Sequence, residues 1–345
     1  MDVRPALIPV LVSYLTDKQM QVRYNNIYSS TYSLPGGGPQ GTLLGLIEYF
    51  VQSNDNANCV DPDLRFKFVD DLTVLELVMM AGLLTEYNFK QHVASDIGID
   101  EHYIPATSLK TQEYLDNIAQ WTDLNKMKIN EDKTKYMVFS RSETEVATRF
   151  AVNSRTIDRI EETKLVGVWL DTWLDWSKNS KEICKSDARM TMLTKLRYGG
   201  VPTDDLLNIY ILYVRSLLEY CSVVWHSTLT VEQSHSIENV QKVCLRVILG
   251  DQYTGYEDAL ERSGLERLSE RRQAKCLKFG LKNLLHPVHC DMFPVKPQII
   301  THPHDTRNTE HFQVNFARTD SYQDSAIHYI QRLLNEYVRN QQRTR

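Results

Sequence analysis

The stretch Arg65–Leu77, RFKFVDDLTVLEL, decides how the rest of the chain is interpreted. Phe66 and Phe68 alternate with basic residues ahead of the acidic pair Asp70 and Asp71, and a second β-favouring run follows that pair. Two strand-like runs with two acids at their junction predict a tight antiparallel hairpin, with the acids at or beside its turn.

Adjacent carboxylates on a rigid hairpin are hard oxygen ligands. They suit Mg²⁺, which keeps part of its water and takes its remaining ligands from substrate phosphates. Aspartate is also a common turn residue, so an Asp-Asp turn with no bound metal is the alternative interpretation. The hairpin by itself leaves both alternatives open.

The composition is that of a folded globular protein. The 345 residues are 42% hydrophobic and 24% charged, which predicts a substantial core and two domains. The formal net charge of −5 gives no global basic signature, so any nucleic-acid site must be a local basic patch. The six cysteines include no CxxC pair, and we find neither a signal peptide nor a membrane-spanning stretch. We therefore expect an intracellular protein, in the nucleus or cytoplasm.

The order of the predicted elements indicates an α+β fold. In the first part, the patterns predict helices over residues 5–16, 42–52 and 108–126, strands on either side of Asn25-Asn26, and β-type runs at 135–140 and 165–170. From about residue 177 onward, apolar residues at three- and four-residue spacing predict helices over 186–196, 203–221, 231–249, 256–285 and 321–341. We expect an antiparallel sheet with helices, followed by an all-helical region.

Several stretches, in this order, resemble the reverse transcriptase (RNA-directed DNA polymerase) of non-LTR, LINE-like retrotransposons. They are Gly37-Gly38-Pro39-Gln40-Gly41-Thr42, similar to palm motif B; Phe68-Val69-Asp70-Asp71, similar to motif C; residues 125–135, similar to motif D; Leu165-Val166-Gly167-Val168, similar to motif E, the primer grip; and residues 207–225, similar to the helices after the palm. The resemblance implies a partial polymerase palm over residues 1–176, a helical thumb or connection region over 177–285, and an irregular segment with a C-terminal helix over 286–345. It implies an RNA template, a DNA primer and deoxynucleoside triphosphates as partners; no membrane partner is expected, and the oligomeric state is not predicted.

The resemblance also implies a chemistry for the acidic hairpin. In the family, two metal ions roughly 3.5–4 Å apart stabilise the attacking and leaving oxygens of nucleotidyl transfer. By position, Asp70 is the first motif C acid, and Asp71 is its weaker partner; both are predicted catalytic and metal-binding residues, with Mg²⁺ or Mn²⁺ as the ion. Lys133 matches the motif D lysine, a general acid toward the leaving pyrophosphate, and a solvated turn lysine is the alternative.

Two further sets of residues are predicted to contact substrate. By the same resemblance, the motif B loop meets the templating base and the incoming nucleotide through Gly38, Pro39, Gln40 and Gly41. The basic run over residues 262–282 has seven basic and two acidic side chains, enough to neutralise phosphates of a template–primer duplex. The predicted nucleic-acid contacts are Gly167, Arg271, Arg272 and Lys275, and a solvated helix face is the alternative for the three basic residues.

One part of the family's pattern has no match. The motif A carboxylate lies in the family on a strand before a helix like the one predicted at 5–16, and Asp2 is the only acid ahead of that helix. The resemblance therefore implies an N-terminally truncated copy with weak metal binding and little or no catalysis. A non-catalytic nucleic-acid-binding or scaffold remnant of the same fold is one alternative. An unrelated Asp-Asp metal hydrolase is another, and it predicts a closed pocket with further His or acidic ligands near Asp70.

Overall fold

The computed structural model describes residues 4–34, 43–76, 103–104, 109–139, 145–146, 149–185, 187–295, 311–314, 316–317 and 319–343. The chain divides after Ile160 into two compact units, which we call the N-terminal unit (residues 1–160) and the C-terminal unit (residues 161–345). The three-part domain organisation expected from the sequence stays a prediction.

The described part of the N-terminal unit combines helices with very short strands. The helices are α1 (Ile8–Leu15), α2 (Leu43–Ser53) and α3 (Thr111–Leu124). The strands are β1 (Gln19–Met20), β2 (Arg23–Tyr24), β3 (Ile27–Tyr28), β4 (Tyr32–Ser33), β5 (Arg65–Phe68), β6 (Asp71–Val74), β7 (Tyr103–Ile104), β8 (Lys135–Tyr136), β9 (Glu145–Val146), β10 (Ala151–Val152), β11 (Arg155–Thr156) and β12 (Asp158–Arg159).

These strands pair two by two. The pairs β1–β4, β2–β3, β5–β6 and β10–β11 are antiparallel, whereas β7–β9 and β8–β12 are parallel. The mixture of helices and small sheets agrees with the predicted α+β class. The described residues form separate two-stranded sheets, however, and not the one antiparallel sheet that was expected.

The acidic hairpin forms as predicted. In β5–β6, Phe68 lies opposite Asp71, and Val69 and Asp70 form the two-residue turn. Val69 has a φ of 55°, a left-handed conformation that a two-residue hairpin turn uses at its first central position. For a β-branched residue this conformation is strained, by roughly 1–3 kcal/mol, so the surrounding contacts must hold the turn.

A small core holds the inner side of the hairpin. Leu72 and Val74 of β6 pack against a buried cluster formed by Ala57, Val60 and Ile118. Ile118 comes from α3, so the cluster joins the hairpin to that helix. Because the side chains of a strand alternate between its two faces, burial of Leu72 and Val74 leaves Asp71 on the opposite, exposed face.

Polar contacts fix the hairpin to α2. The Lys67 ammonium donates to the carbonyl oxygens of Ser53 (2.7 Å) and Asn54 (3.1 Å), at the C-terminal end of that helix. A cation at this end satisfies carbonyls that lack helical partners and complements the helix dipole. The hairpin therefore has two neighbours, α2 and α3, within the N-terminal unit.

The segment from residue 4 to 34 differs from the rest of the unit because none of its side chains is buried. The helix expected over 5–16 forms as a short 3₁₀ turn, Pro5–Leu7, followed by α1. Asn25 and Asn26 both have positive φ and join β2 to β3, which confirms the hairpin turn predicted there.

The C-terminal unit starts with one hairpin and continues as helices. Its elements are β13 (Glu162–Leu165), β14 (Val168–Asp171), α4 (Ser177–Cys184), α5 (Asp187–Tyr198), α6 (Thr203–Ile209), a π-helical segment Tyr210–Arg215, α7 (Ser216–Leu218), α8 (Ser222–Trp225), α9 (Val231–Leu249), α10 (Tyr256–Ser263), α11 (Leu268–Asn283), α12 (Asp320–Gln323) and α13 (Ala326–Arg343). The all-helical pattern predicted from about residue 177 is confirmed within the described ranges, where one isolated bridge, Val295 to Phe312, is the only β pairing after β14.

The β-type run expected at 165–170 is a hairpin and not a single strand. Val166 and Gly167 both have positive φ, 45° and 88°, and form the turn between β13 and β14. The Tyr220 hydroxyl donates to the Val166 carbonyl at 2.9 Å, and its ring lies 3.1 Å from where a Cβ on Gly167 would be. Glycine therefore fits this turn both for its conformation and for its close neighbour.

Helix α9 lies at the centre of the unit's main core. Its start is fixed by a capping box in which Thr230 and Gln233 exchange side-chain and backbone hydrogen bonds. One face is buried and includes Ile237, Cys244 and Ile248, which pack with residues from α5, α6 and the π-helical segment. The helix expected over 231–249 is confirmed.

The run expected over 256–285 is broken into two helices, α10 and α11. Gly264 ends α10 with a φ of 63°, the left-handed conformation typical of a helix C-terminus. The buried Glu238 carboxylate accepts the backbone N–H groups of Leu268 (3.1 Å) and Ser269 (3.3 Å), which start α11 and have no helical acceptor. Apolar periodicity continues across this break, so the periodicity does not show where the first helix ends.

Helices α11 and α13 pack closely at Gly280. A Cβ at this position would lie 2.6 Å from Ile330 Cγ2 and 3.2 Å from Leu334 Cδ1. Ile330 and Leu334 belong to one buried cluster together with Cys276. A side chain at position 280 would therefore push the two helices apart.

One buried carboxylate, Glu219, joins the segment after α7 to α11. It accepts from Arg271 Nε at 2.5 Å and from Lys275 Nζ at 2.7 Å, and its own side chain is only 4% exposed. Burial by itself would raise the pKa of Glu219, but the hydrogen bonds from Arg271 and Lys275 outweigh burial and the pKa is lowered. The ionised form is therefore the one that stabilises the fold.

Within the described ranges no single helix is both long and apolar enough to cross a membrane, although the bent pair Thr203–Leu218 and Ser222–Thr228 meets that criterion when taken together.

We expect Gly280→Val to lower the free energy of unfolding of the C-terminal unit by about 1–3 kcal/mol, because the added side chain overlaps Ile330. Urea unfolding of the full chain followed by circular dichroism measures this. Ala274→Val on the exposed face of the same helix is the control, with an expected loss of about 0.7 kcal/mol or less. Equal losses in the two variants would contradict the packing argument.

We expect Glu219→Gln to lower stability at neutral pH by roughly 1–3 kcal/mol, because Arg271 and Lys275 lose the buried negative charge and an NH2 donor replaces one of the two acceptor oxygens. Since the folded-state pKa is lowered, this stabilisation is present above the unfolded pKa of about 4.3 and is lost as pH falls through the folded value. The difference between wild type and variant should shrink in acid. Glu266→Gln, which removes an exposed carboxylate beside Arg271, is the control and should have a small effect.

Candidate active site and nucleic-acid surface

Asp70 and Asp71 lie together at the tip of the β5–β6 hairpin, and both are exposed. Asp70 is the second residue of the turn, and Asp71 is the first residue of β6. The paired strands thus place two successive acidic residues at one turn and leave both open to solvent. This is the arrangement the sequence predicts for them.

A phenol on α2 lies near the two acids. Burial raises the pKa of Tyr49, and the negative charges of Asp70 and Asp71 raise it further. The protonated phenol is a hydrogen-bond donor beside two acceptors at neutral pH. Sequence analysis missed Tyr49 because it lies outside every recognised motif, and no signal in the sequence marks it.

The two carboxylates fit part of a divalent-cation site. Carboxylate oxygens are the ligands that Mg²⁺ and Mn²⁺ prefer. Among the described residues, no group of three or more His, Cys, Asp or Glu side chains is arranged to hold a metal ion. Asp70 and Asp71 could therefore offer two anionic ligands to a cation, and its other positions would have to be filled by other groups. The exposed tip also differs from the closed pocket with extra ligands that a metal hydrolase would need.

The remaining predicted residues of the N-terminal unit fall in two places. Gly38, Pro39, Gln40 and Gly41 lie outside the described residues, so their substrate contacts stay predictions.

Lys133 is exposed in the turn between α3 and β8. Its backbone N–H donates to the Asn130 carbonyl at 3.1 Å and to Asn130 Oδ1 at 3.2 Å. Asn130 therefore shapes the motif D turn, and the role of Lys133 as a general acid stays a prediction.

Gly167 lies in the C-terminal unit, at the turn of β13–β14. The adjacent Tyr220 side chain holds this turn. Tyr220 directly follows Glu219 in sequence, so one short segment contacts both the turn and the basic helix α11. The predicted nucleic-acid contact at Gly167 stays a prediction.

Arg272 does not lie on the surface. Its side chain is fully buried, with the guanidinium over the Trp225 ring and Nε donating to His226 Nδ1 at 3.4 Å. Burial, and then the charge of Arg272, lower the pKa of His226 to about 4, so the imidazole is neutral and can accept this bond. The structure thus corrects the predicted phosphate contact of Arg272: it shares the inner face of α11 with Leu268 and Cys276.

Arg271 and Lys275 lie at the edge of the same helix, with side chains 26% and 42% exposed. Both donate to Glu219, and Arg271 also pairs with Glu266 at 3.3 Å. Much of their charge is therefore compensated within the unit. Two lysines on the same helix that were not among the predicted contacts, Lys278 and Lys282, are exposed. The helical spacing 271, 275, 278, 282 is the sequence signal that identifies them.

Comparison with known proteins gives two relatives. The chain is 25% identical over 222 residues to the RNA-directed DNA polymerase from mobile element jockey of Drosophila melanogaster, covering 63% of the chain and 22% of that protein. It is 28% identical over 180 residues to the probable RNA-directed DNA polymerase from transposon BS of the same species, covering 50% of the chain and 17% of that protein. No family model and no solved structure matches the chain.

The chain spans about a fifth of the length of these curated relatives. Both relatives are mobile-element polymerases, which is the class that the ordered motifs indicate. The resemblance drawn from the sequence is therefore confirmed: the chain is similar to two proteins named as RNA-directed DNA polymerases of mobile elements.

Proposed function

We propose that the chain is part of an RNA-directed DNA polymerase of a mobile element, with a palm-type acidic hairpin that takes part in two-metal nucleotidyl transfer. The observation that supports this most directly is the exposed pair Asp70 and Asp71 at the turn of a two-stranded hairpin, in a relative of such polymerases. The partners would be an RNA template, a DNA primer and deoxynucleoside triphosphates.

In this proposal each acid has a separate task. Asp70, at the turn, supplies the principal carboxylate, and Asp71, held in the strand ladder opposite Phe68, supports it. When bound, Mg²⁺ or Mn²⁺ supplies positive charge to the attacking and leaving oxygens of the phosphoryl group. Tyr49, whose pKa is raised by burial and by the charges of the two acids, would remain a protonated phenol near them.

Lys133 would protonate the leaving pyrophosphate, and the loop of Gly38, Pro39, Gln40 and Gly41 would contact the template base and nucleotide. We further propose that binding of the ion is weak in these 345 residues, because no segment matches the motif A carboxylate. Two like-charged metal ions at short distance repel each other, so two carboxylates alone compensate them poorly. Binding of nucleic acid without catalysis is then the alternative function of the same fold.

We expect Asp70→Asn to weaken Mn²⁺ binding by about tenfold or more, because it removes one of two charged oxygen ligands. Electron paramagnetic resonance of free Mn²⁺ during a titration measures this. Asp123→Asn, at an exposed carboxylate near the end of α3, is the control and should bind as wild type does. Equal binding by wild type and Asp70→Asn, or none by wild type, would contradict the assignment of the acids.

We expect the 345-residue chain to extend a DNA primer on an RNA template little or not at all, in Mg²⁺ or Mn²⁺. Gel analysis of a labelled primer measures this extension. Clear extension that Asp70→Asn abolishes would show that the acids present suffice for catalysis, and the expected weakness would then be wrong.

A further inference from the structure

We propose that Lys278 and Lys282, with Lys275 beside them, form a binding surface for the phosphate backbone of a nucleic-acid duplex. We call these three residues the lysine stripe. This inference rests on the proposed function, since it names the place where the C-terminal unit would hold its nucleic-acid partner. It also replaces Arg272 as a phosphate contact.

The helical geometry places the lysine stripe on one face of α11. At 100° per residue, positions 275, 278 and 282 fall within a sector of about 60°. At 1.5 Å per residue they span about 10.5 Å along the helix axis, close to three nucleotide steps of roughly 3.4 Å in one DNA strand. The three lysines are therefore spread along the helix, so that each can contact a different phosphate of one strand.

The face of α11 next to the lysine stripe is fixed inside the unit, so the helix cannot turn the stripe inward. Leu268, Arg272, Cys276 and Gly280 are all buried, and Gly280 lies against α13. Rotation of the helix would expose the Arg272 stack on Trp225 and separate the helices at Gly280. The stripe therefore faces solvent as a consequence of how the helix packs.

The charge along α11 is least compensated toward its C-terminal end. Arg271 and Lys275 share Glu219, and Arg271 also meets Glu266. Lys278 and Lys282 are exposed, and neither forms an ion pair with any residue in the described part of the chain. A row of uncompensated cations on a protein of net charge −5 favours a polyanion as its partner.

Nucleic-acid phosphates fit this row because each contact releases condensed counterions and gives a salt-dependent gain in affinity. The ion pair with Glu219 holds Lys275 at the edge of the stripe, with part of the Lys275 side chain still exposed. The predicted contacts are with phosphates and not with bases, so the surface would bind a duplex without sequence specificity.

The test measures how affinity depends on salt. Wild type and Lys278→Gln/Lys282→Gln are titrated onto a labelled DNA duplex and onto an RNA–DNA hybrid of the same sequence, over a range of KCl concentrations. Removing two phosphate contacts should make the slope of log affinity against log salt shallower by about 1.8 on the DNA duplex, at roughly 0.9 per contact. Both substitutions lie on an exposed face, and circular dichroism checks that the variant is folded.

The control is Lys181→Gln/Lys195→Gln, which removes the same charge from exposed positions on α4 and α5. Its slope should match that of wild type. If both double variants lose slope equally, binding follows net charge and the stripe is not the site. If Lys278→Gln/Lys282→Gln keeps the wild-type slope while wild type binds the duplex, this inference is wrong and the proposed function stands.

Two further outcomes separate the remaining possibilities. Failure of wild type to bind either duplex at any salt concentration would contradict both this inference and nucleic-acid binding by the chain. Vesicles containing phosphatidylserine form a third arm, because exposed Leu285 lies close to Lys282 on the sequence. Vesicle binding that depends on the stripe, with no duplex binding, would assign the surface to an anionic membrane and overturn the proposal.

Discussion

The C-terminal unit depends on one buried carboxylate that several cations share. Glu219 lies between the helical segment that ends at α7 and helix α11, and it satisfies Arg271 and Lys275 at the same time. A buried charge is costly unless it is paired and hydrogen-bonded, so these contacts fix the position of α11 relative to the core. The neighbouring Tyr220 extends the same constraint to the β13–β14 turn.

The two units differ in how they are held together. The C-terminal unit has a broad apolar core around α9, with Trp225, Leu245 and Ile248 fully buried. In the described part of the N-terminal unit the apolar clusters are small, such as the one under the acidic hairpin, and no side chain of residues 4–34 is buried. Backbone hydrogen bonds, and the contacts of Lys67 with the end of α2, therefore contribute a larger share of its local order.

The sequence predicted an element correctly where several independent sequence signals agree on it. The acidic hairpin was predictable because alternation, β propensity and the turn acids agree, and α9 because both its apolar face and its capping residues are present. The turn at Val166-Gly167 was missed because valine favours strands and a single glycine was the only contrary signal. Arg272 was misplaced because charge suggested the surface, while its helical phase with Leu268 and Cys276 placed it inside.

The acidic hairpin is held by contacts within the protein itself. Its two strands are hydrogen-bonded to each other, and Leu72 and Val74 on its inner face pack against the core. Asp70 and Asp71 take no part in that core. Small zinc domains behave in the opposite way, because their ligand bonds supply most of the folding energy. Removal of a bound ion by a chelator would thus leave the hairpin folded. Ion binding would affect the reactivity of the site and not its folding. In the proposed function, the ion could therefore leave and return without any refolding step.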